Sequence, residues 1–313
     1  IMVAAFFMFH MSWGFFVENQ KKRAITRLFG QYVPPELVDE MAKQPDEIKL
    51  EGQSKELSVL FSDVRDFTSI SEKVAPKDLT SLMNQILTPM TQSIYHHLGT
   101  VDKYMGDAIM AFWGAPLPEP NHAQKAVACA LEMQDRVEQL NHDLKDQDFP
   151  QIKMGVGINT GIMNVGNMGS EYRMAYTVMG DSVNLGSRLE GLCKTYGAQI
   201  IVSESTRDLA VDFLYRPLDR VRVKGKNEPI NIFEPLSNLE TASGELKQIV
   251  EFSEQFFEKY YSQDWGEALW MLKQMEAFPN LSAFTELFSL RIRKFKDNPP
   301  EESWDGVYVF TTK

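Results

Sequence analysis

The stretch Glu56-Leu57-Ser58-Val59-Leu60-Phe61-Ser62-Asp63 decides the fold. Its apolar run is short and bounded, so it reads as a buried strand, and it ends on an acid. On its C-terminal side, Leu79, Leu82, Met83, Ile86, Met90, Ile94 and Leu98 recur at three- to four-residue spacing over 76–98, with Gly99 just beyond. That spacing predicts an amphipathic helix with a glycine stop. Residues 100–113 read as two strands folded over a tight turn at Tyr104-Met105-Gly106-Asp107, because apolar residues flank a glycine-containing tip. A second long helix is expected over 121–144, on Ala123, Ala126, Val127, Ala130, Met133, Val137 and Leu140. Strands are expected at 152–159, 162–167 and 173–178, then a helix over 181–195 and strands at 199–202, 215–223 and 230–233. The order β-α-β-β-α-β, with extra elements appended, predicts an α+β sandwich with helices on one face of a mainly antiparallel sheet.

The chain carries 32 Lys+Arg against 43 Asp+Glu, a net charge of −11, and no Arg-rich stripe interleaved with aromatics. That balance argues against a nucleic-acid partner, whose phosphates are held by cationic side chains. With 43% hydrophobic and 24% charged residues over 313 positions, the composition is that of one to three folded units with at least one sizeable core. Cys129 and Cys193 are the two cysteines, too few for a Cys-rich zinc site and read as buried small hydrophobes.

Residues 1–17 hold no charge and include five phenylalanines. They would reach about 26 Å as a helix, just short of a hydrocarbon core. The chain starts with Ile, so this segment is expected to be the C-terminal part of a transmembrane helix. Lys21, Lys22, Arg23 and Arg27 follow at once, which places the downstream chain in the cytoplasm by the positive-inside rule. Residues 18–53, interrupted by Pro34-Pro35, read as a helical linker. Residues 237–313 read as a small helical region whose aromatics, such as Phe256, Tyr260 and Trp265, form a core and carry no chemistry.

Several motifs fail. Gly155-Val156-Gly157-Ile158-Asn159-Thr160-Gly161 has its third glycine one residue late for a dinucleotide fingerprint and opens no helix. There is no phosphate loop, HExxH pair or GxSxG elbow, and the five histidines lack metal-ligand spacing; His96-His97 reads as a solvated helix end. Two acids stand out by position, Asp63 at the end of the first strand and Asp107 at the hairpin tip. Paired carboxylates there suit Mg²⁺ shared with substrate phosphates, which prefers hard oxygen ligands. Taken alone, Asp107 at a hairpin tip is merely a turn residue.

Four ordered strings carry a resemblance: Phe61-Ser62-Asp63-Val64-Arg65-Asp66-Phe67-Thr68, Asp102-Lys103-Tyr104-Met105-Gly106-Asp107, Thr177-Val178-Met179-Gly180-Asp181-Ser182-Val183-Asn184-Leu185-Gly186-Ser187-Arg188-Leu189 and Val223-Lys224-Gly225-Lys226. Together they resemble the catalytic domain of the class III nucleotide cyclases over about residues 54–236. The resemblance implies a ferredoxin-like sandwich and an adenylyl cyclase that turns ATP into 3′,5′-cyclic AMP and pyrophosphate. It implies that Asp63 and Asp107, with the Val64 carbonyl, bind two Mg²⁺ (or Mn²⁺) ions. One ion would activate the ribose 3′-hydroxyl for in-line attack on the α-phosphate, and the other would hold the leaving pyrophosphate.

By the same resemblance, Asn184 positions the ribose, Arg188 stabilises charge at the α-phosphate, Lys224 meets the terminal phosphates, and the amides around Phe67 and Thr68 donate to phosphate. Asn184 and Arg188 lie four apart, on one face of a predicted helix. Lys103 can donate to adenine N1 and Thr177 can accept from N6, a pattern that suits adenine, whereas guanylyl cyclases of the family usually have Glu and Cys there. A threonine at position 177 is similar to a bacterial branch of the family, some of whose members respond to bicarbonate.

The family pattern further implies a head-to-tail homodimer, one chain supplying Asp63 and Asp107 and its partner Lys103, Thr177, Asn184, Arg188 and Lys224. Arg27-Leu28-Phe29-Gly30-Gln31-Tyr32-Val33 resembles the transducer of membrane-anchored bacterial cyclases. The expected location is therefore the bacterial inner membrane, with the catalytic domain cytoplasmic. A guanylyl cyclase, or a silent dimerisation module, are the alternatives.

Overall fold

The computed structural model describes residues 52–145, 149–223, 228–301 and 303–310, together with His10, Phe29, Gly30, Tyr32, Val33, Val38 and Met41. The expected spanning segment 1–17 lies, apart from His10, outside the described residues, as do most of the linker and Lys224. Among the described residues no helix is long and apolar enough to cross a membrane.

Strand β1, Gln53–Val64, alternates exposed and half-buried residues over its first four positions and then runs buried from Leu57 to Leu60. A five-residue helix α1, Phe67–Ser71, and the long α2, Pro76–His96, follow. β2, Thr100–Met105, and β3, Ala108–Trp113, form the hairpin, with Gly106 at φ 70 in its turn. After α3, His122–Leu144, come β4, Met154–Ser170, and β5, Arg173–Met179. Then follow α4, Asp181–Tyr196, β6, Ile200–Ser203, α5, Glu204–Leu209, β7, Phe213–Arg222, and β8, Ile230–Asn238. Helices α6, Gly244–Tyr261, α7, Trp265–Met275, and α8, Ser282–Asp297, lead to β9, Tyr308–Val309.

The sheet runs β2-β3-β1-β4-β6-β8-β7-β9, with β5 paired to the far half of β4. Its first four strands, in the spatial order β2-β3-β1-β4, are the expected β-α-β-β-α-β unit. α2 and α3 cover one face, where Leu60, Ile86, Met90, Val127, Met133 and Ile158 are buried together. The expectation of helices on one face needs correction. α4 packs on the opposite face, and Leu189 and Tyr196 share a second core with Ile201, Leu218, Phe256, Phe284 and Phe288. The helices beyond β8 therefore close the back of the sheet, and β9 adds a parallel strand to β7. A third cluster joins Leu57, Val59, Phe112 and Tyr176 to the linker residues Phe29, Val33, Val38 and Met41.

Two local readings differ from the structure. The Thr160-Gly161 break between two expected strands is continuous strand within β4. The polar residues here are satisfied inside the fold: Asn159 Nδ2 donates to the Ser182 carbonyl at 2.8 Å, and Thr160 Oγ1 lies 2.6 Å from Ser58 Oγ. Gly99 is also not the helix stop. α2 ends at His96 and the left-handed residue is Leu98, φ 58. Gly99 is needed for space, since a Cβ there would sit 2.7 Å from the Trp113 ring.

Candidate active site

The antiparallel register of β1 on β3 pairs Ser62 with Ile109, so the end of β1 lies beside the hairpin turn. Asp63 and Asp107 meet there, and their carboxyls share a hydrogen bond. Burial first, then that hydrogen bond and the charges of Asp107 and Glu190, push Asp63 up to about 7, against a lowering contact from the Val64 amide. Two acids brought side by side at a half-buried strand end offer a set of carboxylate oxygens, and that donor set fits a divalent metal with hard oxygen preferences. Val64 is seen here through its N–H on Asp63; its side chain lies in the first core.

Glu190 and Arg65, which the sequence reading passed over, complete this side. Arg65 Nη1 lies 3.3 Å from Glu190 Oε1, and burial, then Asp107 working against Arg65, raises the Glu190 carboxyl. The glycines of the failed fingerprint explain how α4 comes so close. A Cβ on Gly155 would fall 1.8 Å from Arg65 Nη2, and one on Gly157 would fall 2.1 Å from the Glu190 backbone nitrogen. Phe67 and Thr68 open α1 directly after this strand end, behind Asp66 at φ 54.

A second group assembles on the other side of the hairpin. Lys103 Nζ lies 3.3 Å from Thr177 Oγ1. Both are held by Asp102, whose Oδ2 accepts from the Thr177 hydroxyl at 2.6 Å and from the Val178 amide at 3.2 Å, while its Oδ1 lies 3.0 Å from the Lys103 ammonium. Asp102 stands inside one of the quoted strings, and its place as an acid in a strand core was the available signal for it.

Gly180, at φ 140, turns β5 straight into α4, so Thr177 and Asn184 belong to one β-turn-α unit. Asn184 is exposed, and Arg188 has a buried Nη1 with no hydrogen-bond partner among the described residues, a donor suited to an anion. At about 100° per residue, Glu190 lies roughly 200° around α4 from Arg188. Glu190 acts on Asp63 of its own chain, so Asn184 and Arg188 face away from that chain's Asp63. The expected site residues thus form two groups: Asp63, Asp107 and Val64 in one, Lys103 and Thr177 in the other, with Asn184 and Arg188 on the outward face of α4. Lys224 lies outside the described residues, just past the buried Val223.

Away from this site, His96 Nδ1 and His97 Nε2 lie 2.8 and 2.9 Å from Glu132 Oε2. These side chains offer three close ligand atoms; His96 is exposed at the helix end, as expected, whereas His97 is partly buried, which corrects the solvated reading for His97. The spacing test missed the cluster because Glu132 comes from another helix.

The family model described as the adenylate and guanylate cyclase catalytic domain matches residues 50–234, more than half of the chain. The chain belongs to this family. As a cyclase domain it resembles the crystal structure of the adenylyl cyclase CyaB from P. aeruginosa, at 34% identity and a TM-score of 0.57 over 62% of this chain and 100% of that one. It also resembles the guanylyl cyclase Cya2, at 37% identity and a TM-score of 0.56 over 61% of this chain and 97% of that one. Among curated proteins it is 33% identical to adenylate cyclase 1 of Rhizobium meliloti over 66% of this chain, and 35% identical to an adenylate cyclase of Anabaena cylindrica over 69%. The cyclase chain spans 31% and 44% of the length of these two relatives.

Proposed function

We propose that this chain is the catalytic part of an adenylyl cyclase, forming 3′,5′-cyclic AMP and pyrophosphate from ATP. The paired carboxylates of Asp63 and Asp107 carry the reading, because they offer a place for Mg²⁺ or Mn²⁺ next to substrate phosphates. Asp63 and Asp107, with the Val64 carbonyl, would hold two such ions. Bound there, they supply Lewis-acid activation of the ribose 3′-hydroxyl and neutralise charge on the phosphates.

The chain's own residues do the rest. Lys103 donates to adenine N1 and the Thr177 oxygen accepts from N6. Asn184 orients the ribose so that its 3′-oxygen faces the α-phosphorus. Arg188 presents a planar fork to the α-phosphate oxygens, where negative charge grows in the transition state. Lys224 and the amides of Phe67 and Thr68 hold the outer phosphates.

Because Arg188 faces away from its own Asp63, a working site takes Asp63 and Asp107 from one chain and Lys103, Thr177, Asn184, Arg188 and Lys224 from a second copy. The exposed apolar side chains Tyr104, Met105, Ile162, Tyr172, Met174 and Met179 lie on the β2 tip and the β4–β5 arm, the surface such a partner would cover. Residues 1–17 anchor the chain in the bacterial inner membrane, with the catalytic domain in the cytoplasm. The linker reaches the base-binding side, since Phe29 packs edge-on to Tyr176 at 5.0 Å and the Val101 amide donates to the Tyr32 carbonyl at 2.8 Å. An upstream signal would act through those contacts.

The test is an assay of purified chain with ATP and with GTP under Mg²⁺ and Mn²⁺, beside an Asp63→Ala variant. Cyclic AMP lost in the variant is the expected result. Cyclic GMP as the main product would favour the guanylyl reading, and no cyclic product from a confirmed dimer would overturn both.

A further inference from the structure

We infer that Asp102 is the residue that fixes the choice of base, by setting which way the Thr177 hydroxyl donates. The inference rests on the cyclase reading above and deepens it.

A threonine hydroxyl is ambiguous: it has one proton and two lone pairs, so it can face a donor or an acceptor equally well. Adenine presents an N–H donor at N6, and guanine presents an acceptor at O6. Threonine by itself therefore discriminates poorly between them. Asp102 removes the ambiguity. Its carboxylate has only lone pairs to offer, and Oδ2 sits 2.6 Å from Thr177 Oγ1. The single hydroxyl proton is committed to that bond and one lone pair accepts from the Lys103 ammonium at 3.3 Å, so Thr177 has only a lone pair left to show the nucleotide. That lone pair welcomes the N6 amino group of adenine and opposes the O6 of guanine.

Three observations show that the arrangement is built rather than incidental. Asp102 is buried, with its side chain fully covered, so water does not compete for Oδ2. The Val178 amide donates to the same oxygen at 3.2 Å, which pins the carboxylate against the strand that carries Thr177. The pairing of β2 with β3 shifts register between Val101 and Lys103, placing Asp102 at a bulge. In a regular strand neighbouring side chains point to opposite faces; a bulge re-aims one of them. Here Asp102 and Lys103, although consecutive, both reach Thr177. Among the described residues Oδ1 is buried without an aligned hydrogen-bond donor, and the Lys103 ammonium lies 3.0 Å from it. The same carboxylate thus holds the N1 donor and orients the N6 acceptor. Asp102 is a positioning residue, acting through Thr177 and Lys103.

The test compares ATP with GTP, in turnover and in competitive displacement of a fluorescent nucleotide, for the full chain and its Asp102→Leu, Asp102→Asn and Thr177→Val variants. Asp102→Leu frees the hydroxyl and is expected to lower the ATP-over-GTP ratio by about ten- to a hundredfold, mostly through KM. Asp102→Asn can keep an amide oxygen on Thr177 and Val178, so it should retain most of the ratio while weakening the hold on Lys103. Adding Thr177→Val to Asp102→Leu should lower the ratio no further, since both act through one hydroxyl. Equal loss on ATP and GTP in Asp102→Leu, with the ratio unchanged, would overturn the inference. Should Asp102→Leu fail to fold, an Asp102→Asn ratio as low as that of Thr177→Val overturns it instead. A chain that forms no cyclic product fails the cyclase reading, whereas a chain that binds ATP and GTP equally well overturns the assignment to Asp102.

Discussion

Arg188 shows how much can depend on one unpaired donor. Its Nη1 is buried without a partner among the described residues, a cost that a protein tolerates where a ligand supplies the missing acceptor. Arg188→Ala is expected to lower kcat about 10²–10³-fold with a smaller change in KM, measured by steady-state cyclic AMP formation. Arg188→Lys should not restore it, because an ammonium lacks the fork. Gly157 carries a different kind of constraint. Gly157→Ala would place a methyl 2.1 Å from a backbone nitrogen of α4, so a cost of about 3 kcal/mol and a Tm lower by several degrees are expected in a thermal melt. Most of these residues were legible in the sequence because they sit in strings with distinctive chemistry. Asp102 and Glu190 were not: their roles come from a bulge and from the face of a helix, and neither register nor rotation is written in spacing alone. Likewise, the glycines at 155 and 157 were set aside as a failed dinucleotide fingerprint, and sequence offered no sign that they serve the approach of a helix and an arginine to the sheet.

At the scale of elements, α2 and α3 are joined by the Glu132 cluster. Burial raises the Glu132 carboxyl, but hydrogen bonds from His96, Arg136, His97 and Ser93 outweigh it and hold the group at about 2. With the folded value below the ordinary 4.5, its contribution to stability is complete above pH 4.5 and is lost as the pH falls towards 2. Glu132→Gln should lower Tm by a few degrees at pH 7 and make the decline between pH 4.5 and pH 2 shallower, as read by circular dichroism melts across that range. Periodicity placed both helices to within a few residues, because a 3.6-residue stripe is a strong signal. It misjudged β4 because buried polar side chains that find partners across the sheet, such as Thr160, look like turn residues in a bare sequence.

On the scale of the whole molecule, the helices beyond β8 and the linker residues Phe29, Val33, Val38 and Met41 pack against the sheet that carries the candidate site. Arg291 of α8 is buried and pairs with Asp219 of β7, which also accepts from the Tyr196 hydroxyl of α4 at 2.6 Å. Arg291→Ala would leave the buried Asp219 without its counter-charge, so a loss of about 3–5 kcal/mol is expected, visible as a lower midpoint in urea. Aromatic stripes foretold a core for these helices, but not that it is shared with α4, since sequence gives no long-range docking. The central claim concerns a second copy: Asp63 and Arg188 of one chain serve different sites. Mixing Asp63→Ala with Arg188→Ala chains, each inactive alone, would form mixed dimers with one site free of both substitutions. We predict that the mixture recovers about a quarter of the wild-type rate of cyclic AMP formation, since half the dimers are mixed and each has one working site. A mixture no more active than either variant alone, with exchange of subunits demonstrated, would contradict the account.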